Sequence, residues 1–242
     1  SIDIYKGELK PTKNFVAFAA FVSFFPQLVA GPIERSTTLL PQFRRETKFS
    51  WERFNTGLQY VIWGLFKKVV IADRLSYYVN LGYNDHDTYT GGAVFCLTTV
   101  LFAFQLYCDF SAYSDIAKGI AKILGYDLME NFNHPFSAKN ITDFWRKWHI
   151  SLSTWLRDYL FTPLTFRYKR LGKKAVMISI FITFILCGLW HGAKLTYILF
   201  GLIQALALMY ELATVEYRKA VRLKMNAKLY DTISMVLTFL FV

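Results

Sequence analysis

The chain of 242 residues is 54% apolar and 18% aromatic, carries a formal charge of +11 and has a mean hydropathy of +0.28. Its apolar residues gather in long blocks with basic residues between them, which excludes an ordinary soluble domain and describes an all-α integral membrane protein. The basic residues form no single patch and no nucleic-acid motif, so no nucleic-acid partner is expected, and the positive-inside rule accounts for them.

In chain order, the first predicted span covers residues 15–31. Pro26 and the Gly31-Pro32 pair interrupt its second half, which lipid tolerates only where protein or water covers the freed backbone groups. A second span, 57–78, contains Lys67, Lys68 and Arg74, charges that must face a bundle interior or snorkel. Asn80 to Thr90 holds two Asp and no Lys or Arg, and is expected outside. The third span is 91–108. Asp109 to Tyr126 then reads as a separate interfacial or re-entrant helix, with Ile116, Ile120, Ile123 and Leu124 on one face and Asp109, Ser111 and Asp115 capping its start. Spans at 175–190, 195–212 and 229–242 complete the set. Nineteen of the 28 Lys and Arg residues fall in Ile33 to Thr56, Lys139 to Lys174 and Ala213 to Lys228, which places these three segments on the cytoplasmic side. The chain lacks an initiator Met and stops within the apolar LTFLFV, so it is expected to be an internal fragment of a longer protein, forming a single domain over residues 1–242.

The most informative stretch is ITDFWRKWHISLSTWLRDYLFTPL, Ile141 to Leu164. Read as one helix, Trp145, Trp148, Leu152, Trp155 and Tyr159 make an apolar stripe, His149 and Leu156 lie on its edge, and Arg146, Lys147, Thr154, Arg157 and Asp158 lie opposite. Such a helix is amphipathic and lies along a membrane surface rather than crossing it.

Several chemistries are disfavoured. No P-loop and no GxGxxG is present, and Cys96, Cys108 and Cys187 lack zinc spacing, so neither a bound cofactor nor a metal is expected. Asp109, Ser111 and Asp115 are not accompanied by a GxSxG elbow. Histidine chemistry remains. His191 closes an apolar block in CGLWHG, where Gly188 and Gly192 leave room for a substrate to approach the ring, and an ionisable group at membrane depth is a functional candidate by default. The alternative is a neutral histidine bonded to a neighbouring carbonyl. For His149, on the edge of an aromatic helix, a packed core role and a catalytic role stand level. His134, before Pro135, reads as a turn residue, and His86 falls in the acidic loop. The reaction such residues serve in a membrane is proton transfer: an imidazole takes the proton of a hydroxyl as its oxygen attacks an acyl carbonyl.

Four motifs, in order, resemble a known family: FFPQLVAGPIER (Phe24 to Arg35), QLYCDFSAYSDIAKGIAKILGY (Gln105 to Tyr126), NFNHPFSAKNITDFWRKWHISLSTWLRDYLFTPL (Asn131 to Leu164) and GLWHGA (Gly188 to Ala193). They are similar to the membrane-bound O-acyltransferases, in particular the bacterial alginate O-acetyltransferase branch, with the D-alanyl-lipoteichoic acid transferases as relatives. The resemblance implies a ring of spanning helices around a thinned centre with a tunnel. It matches His191 to the catalytic histidine and His149 to the second characteristic position. It also implies an acetyl-coenzyme A or acyl-carrier thioester donor, a polysaccharide acceptor, often through a periplasmic acetyltransferase partner, and a place in the bacterial inner membrane. Thr165 and Phe166 follow TPL where the branch has a glycine pair, and Gln204-Ala205 stands where His-Gly is common, so the resemblance gives Gln204 no role. A transporter or non-catalytic subunit, with the histidines as proton relays, is the alternative class; it would show two similar halves with interrupted helices, and the sequence has no such symmetry.

Overall fold

A computed structural model describes residues 2–28, 31–85 and 91–242, and all regular structure among them is helical. His86 and residues 86–90 of the expected outer loop lie outside the described residues. The chain divides into two compact units, one ending at Glu130 and the other starting at Asn131.

The first unit contains α1 (Ile2–Tyr5), α2 (Phe15–Val22), α3 (Ser36–Leu39), α4 (Trp51–Leu65), α5 (Asp73–Asn84) and α6 (Gly92–Ile123). Side chains cap the starts: Asn14 accepts from the Ala17 N–H at the head of α2, and Ser50 from Arg53 at the head of α4. The α2 helix stops at Val22, and residues 23–28 continue in turns around Pro26. A π-helical turn, Phe66–Ala72, joins α4 to α5, so helix runs from Trp51 to Asn84 and takes in the first residues of the expected outer loop.

The α6 helix has 32 residues, roughly 48 Å at 1.5 Å per residue, and passes Cys108 without a break. The separate helix expected from Asp109 is therefore the continuation of α6, and Asp109, Ser111 and Asp115 are not caps. They serve the π-helical turn instead. Lys67 is 7% exposed; its Nζ lies 2.7 Å from an Asp115 oxygen and donates to Ser111 Oγ at 2.8 Å. Lys68 bridges Asp73 at 2.8 Å and Asp109 at 2.7 Å. A buried cation without partners would cost several kcal/mol, and these carboxylates on α6 remove that cost.

Close approach of α4 and α6 is set by small residues in antiparallel register. A Cβ on Gly57 would lie 2.6 Å from the Gly119 carbonyl oxygen, and one on Gly64 2.7 Å from that of Ala112. In lipid, where apolar burial gives little drive, such backbone approach is what holds helices together. At the loop end of the unit Phe24, Leu39 and Ala121 form a small core with Phe43 and Tyr126. Buried Glu34 accepts the Met129 N–H there, and burial pushes its carboxyl above the usual range.

The second unit contains α7 (Ile141–Lys147), α8 (Ile150–Leu156), α9 (Thr162–Arg167), α10 (Lys173–His191), α11 (Leu195–Ala213), α12 (Val215–Lys224) and α13 (Ala227–Phe241). The single amphipathic helix expected over Ile141 to Leu164 is broken: α7 ends before Trp148, α8 starts after His149, and a π-helical turn, Arg157–Phe161, separates α8 from α9. By length and composition α6, α10 and α11 can each cross a membrane. The 19 residues of α10 and of α11 each span roughly 28 Å, against a hydrocarbon core of about 30 Å.

Replacing Lys67 by Met leaves the half-buried Asp115 carboxylate beside an uncharged neighbour, and the expected loss is about 1–3 kcal/mol. Adding Asp115→Leu to Lys67→Met should restore most of the thermal midpoint of the detergent-purified protein. A double variant no more stable than Lys67→Met alone would contradict the pairing.

Candidate active site

The break between α7 and α8 is held by backbone groups from outside the helix. The Lys147 carbonyl accepts the Asn133 N–H at 2.9 Å, and the Ile150 N–H donates to the Asn131 carbonyl at 2.9 Å. Both groups would otherwise serve the helical ladder. His149 sits between them in the left-handed region, φ 43°; His134 is the other non-glycine residue with positive φ among the described residues. This conformation costs an ordinary side chain about 1–2 kcal/mol, and persists where surrounding contacts over-determine it.

Those contacts centre on Asn131, which is 1% exposed. Its Oδ1 accepts from the Ser151 N–H at 3.2 Å and the Ser151 hydroxyl at 2.9 Å, and lies 3.1 Å from His149 Nδ1. A backbone N–H only donates, so this Asn131 atom is the oxygen, and Nδ1 of His149 must carry the proton. The Nε2 nitrogen then holds the lone pair. Burial in the first place, and the positive charge of His191 in the second, pull the His149 pKa down from 6.5 to about 4, so the ring is neutral at physiological pH.

His191 is the last residue of α10. Its Nδ1 donates to the Cys187 carbonyl one turn back at 2.8 Å, which places the lone pair on Nε2 as in His149. The bond to a neighbouring carbonyl expected of a structural histidine is present, and the residue is exposed as a whole. The Cys187 thiol is fully buried, 3.9 Å from the same Nδ1. Because that nitrogen is already donating, it cannot deprotonate the thiol, and an acyl-cysteine route finds no base there.

The glycines of CGLWHG do a different job from the one their positions imply. A Cβ on Gly188 would collide with the Tyr197 carbonyl and lie 3.4 Å from Gly201 Cα, and one on Gly192 would lie 2.5 Å from the Tyr197 ring. They bring α11 against α10. That packing surrounds the ring with Trp190 at 5.0 Å, Phe200 at 5.8 Å and Tyr197 at 6.4 Å between centroids.

The same α11 carries α7. Buried Gln204 accepts the Trp145 indole N–H at 3.1 Å, and Trp145 packs edge-on to Phe184 of α10 at 5.1 Å and Phe200 of α11 at 6.4 Å. Buried Glu211 accepts from the Thr142 N–H at 2.9 Å and hydroxyl at 2.8 Å, and pairs with Arg218 at 3.1 Å. Phe200 thus touches both Trp145 and His191, and the structure brings His149 and His191 into one unit within range of each other's charge. His134 heads the short turn Pro135–Ser137 instead. Among the described residues no three His, Cys, Asp or Glu side chains converge as metal ligands.

Asn131, Gln204 and Glu211 were not singled out by sequence. A carboxylate inside an apolar run is a signal that could have marked Glu211. Asn131, 18 residues from its histidine in a polar turn, offered none.

The profile of the membrane-bound O-acyltransferase family matches residues 7–242. A probable alginate O-acetylase of Pseudomonas syringae pv. tomato is 42% identical over 241 residues, covering 100% of this chain and 44% of its own length. A peptidoglycan O-acetyltransferase of Helicobacter pylori is 38% identical, covering 95% and 42%. A teichoic acid D-alanyltransferase of Bacillus subtilis is 32% identical, covering 82% and 52%. The chain thus spans less than half the length of the first two of these curated relatives and about half of the third. With its apolar spanning helices and all-helical structure, this multi-span membrane protein belongs to the membrane-bound O-acyltransferase family.

Proposed function

We propose that the protein of which this chain is part transfers an acyl group, acetyl in the first instance, from a thioester donor on the cytoplasmic side of the inner membrane to a hydroxyl of a surface polysaccharide, directly or through a periplasmic partner. The observation that carries this reading is His191: an exposed imidazole at the end of a spanning helix, with Nδ1 engaged and the Nε2 lone pair presented. The names of the relatives support the class of acceptor, since alginate, peptidoglycan and teichoic acid are all surface polymers. The donor is acetyl-coenzyme A or an acyl-carrier thioester.

In the proposed step the acceptor hydroxyl gives its proton to His191 Nε2 as its oxygen bonds to the thioester carbonyl carbon. The tetrahedral intermediate collapses by breaking the C–S bond, and the departing thiolate takes the proton back from the imidazolium. His149, held neutral, acts on the donor side as a hydrogen-bond acceptor through Nε2. A group so reluctant to take a proton is a poor general base at neutral pH, which separates the two roles.

His191→Ala is expected to lower turnover about 10²- to 10⁴-fold with donor binding nearly intact, because the lost interaction belongs to the transition state. His149→Ala should weaken donor use as well as turnover. Purified, folded variants assayed with labelled acyl donor decide it, and near wild-type transfer by His191→Ala would overturn the mechanism.

The orientation has its own test. Lys169, exposed between α9 and α10, and Lys194, exposed in the turn from α10 to α11, lie at opposite ends of one spanning helix. Single cysteines at these sites should react with an impermeant thiol reagent from opposite faces, position 194 from outside. Labelling of both from one face would refute the topology.

A further inference from the structure

We infer that Asn131 is the positioning residue of the acyl-transfer site: through one amide oxygen it closes the break between α7 and α8 and fixes which nitrogen of His149 faces the donor with a lone pair. This inference rests on the proposed role of His149.

Asn131 accepts from several donors at once. Asn131 Oδ1 takes two donors from Ser151 and a third from His149 Nδ1, while the Asn131 backbone carbonyl takes the Ile150 N–H. Four donors from three consecutive residues, 149 to 151, converge on this one residue. Asn131 and Ser151 are 1% and 0% exposed, so water cannot replace either bond. With the acceptor in place the tautomer is not a choice: Nδ1–H is used, and Nε2 can only accept. Without it, the Ser151 N–H is orphaned, the left-handed conformation at His149 loses its support, and the ring can present an N–H at Nε2 in place of the lone pair.

A neutral amide rather than a carboxylate at this position matters as well. An Asp would offer the same oxygen to Nδ1 and the Ser151 groups but would favour the imidazolium. Asn131, which bonds His149 Nδ1, and Ser151, which shares that oxygen, are both neutral, and His191 of α10 acts on His149 through its charge. Lys147, two residues away, is turned to Asp143 at 3.0 Å and Ser137 at 3.2 Å. The amide therefore leaves burial free to keep His149 uncharged.

The test uses the protein purified in detergent, with Asn131→Ala, Asn131→Asp, His149→Ala, His149→Gln and the doubles. Asn131→Ala should lower turnover about 10²- to 10⁴-fold, the range expected when a catalytic imidazole loses the partner that sets its tautomer. Combined with His149→Ala it should cause no further loss, since both changes remove one function. Asn131→Asp should stay folded, partly restore activity at high pH, and lose it on the acid side at least about one pH unit above wild type.

Thermal midpoints against pH read the contact without catalysis. A histidine with a depressed folded-state pKa adds stability above its unfolded pKa of 6.5 that is lost as pH falls toward about 4. The wild type should therefore lose midpoint relative to His149→Gln across this window. When both proteins also carry Asn131→Asp, that relative loss should vanish or reverse. If His149→Ala is inactive but Asn131→Asp leaves both pH curves unchanged, the positioning role is overturned while the function stands. If His149→Ala transfers at wild-type rate, the role proposed for His149 falls, and this inference with it, even where the melting curves move.

Discussion

A helix interrupted inside a protein must find other partners for the backbone groups it releases, and that constraint organises the second unit. At Trp148 and His149 the partners come from the short segment starting at Asn131, whose backbone and side chain replace the missing turns of the ladder. The return is conformational. A histidine inside a continuous helix has its ring direction set by the helix stripe, whereas one at a left-handed residue between two helices is aimed by the loop that holds it. The ring that results is buried, neutral and of defined tautomer, a combination that a surface amphipathic helix would not provide.

The second histidine depends on a different constraint, that of close-packed helices. Gly188 and Gly201 let the α10 and α11 backbones touch, which brings Tyr197 and Phe200 against the His191 ring and fixes its plane. One helix thus serves both centres, because α11 also receives Trp145 through Gln204 and the head of α7 through Glu211. Glu211 is a buried carboxylate satisfied by two donors from Thr142 and by Arg218, and it transmits the position of α11 to the start of the segment that ends in His149.

Much of this was legible in the residues. The long apolar blocks give α10 and α11 nearly to the residue, and His191 stands out because an ionisable group ending such a block needs a reason to be there. What periodicity could not show is where a helix stops when no glycine or proline stops it. The stripe Trp145, Trp148, Leu152, Trp155, Tyr159 is a valid helical pattern, yet the ladder is broken by competition from Asn131 and Asn133, which lie outside the helical stretch. The converse error occurs at Asp109. Polar residues after an apolar run look like a cap, but here the helix continues because Lys67 and Lys68 neutralise them from a neighbouring helix. Likewise Gly188 and Gly192 advertise free space, and the structure fills it with Tyr197. In each case the sequence shows the chemical type correctly, and the partner that decides its use comes from elsewhere in the fold.

The two imidazoles share one hydrogen-bonding pattern. Each presents its Nδ1–H to a carbonyl-type oxygen, Asn131 Oδ1 or the Cys187 main chain, so both offer a lone pair at Nε2. Burial keeps His149 neutral down to about pH 4. In the proposed step the exposed ring takes the proton of a hydroxyl and returns it to a thiolate, while the buried ring offers a fixed lone pair. Under the proposed mechanism, the division of labour between the two histidines follows from their depth in the protein, since their hydrogen-bonding pattern is the same.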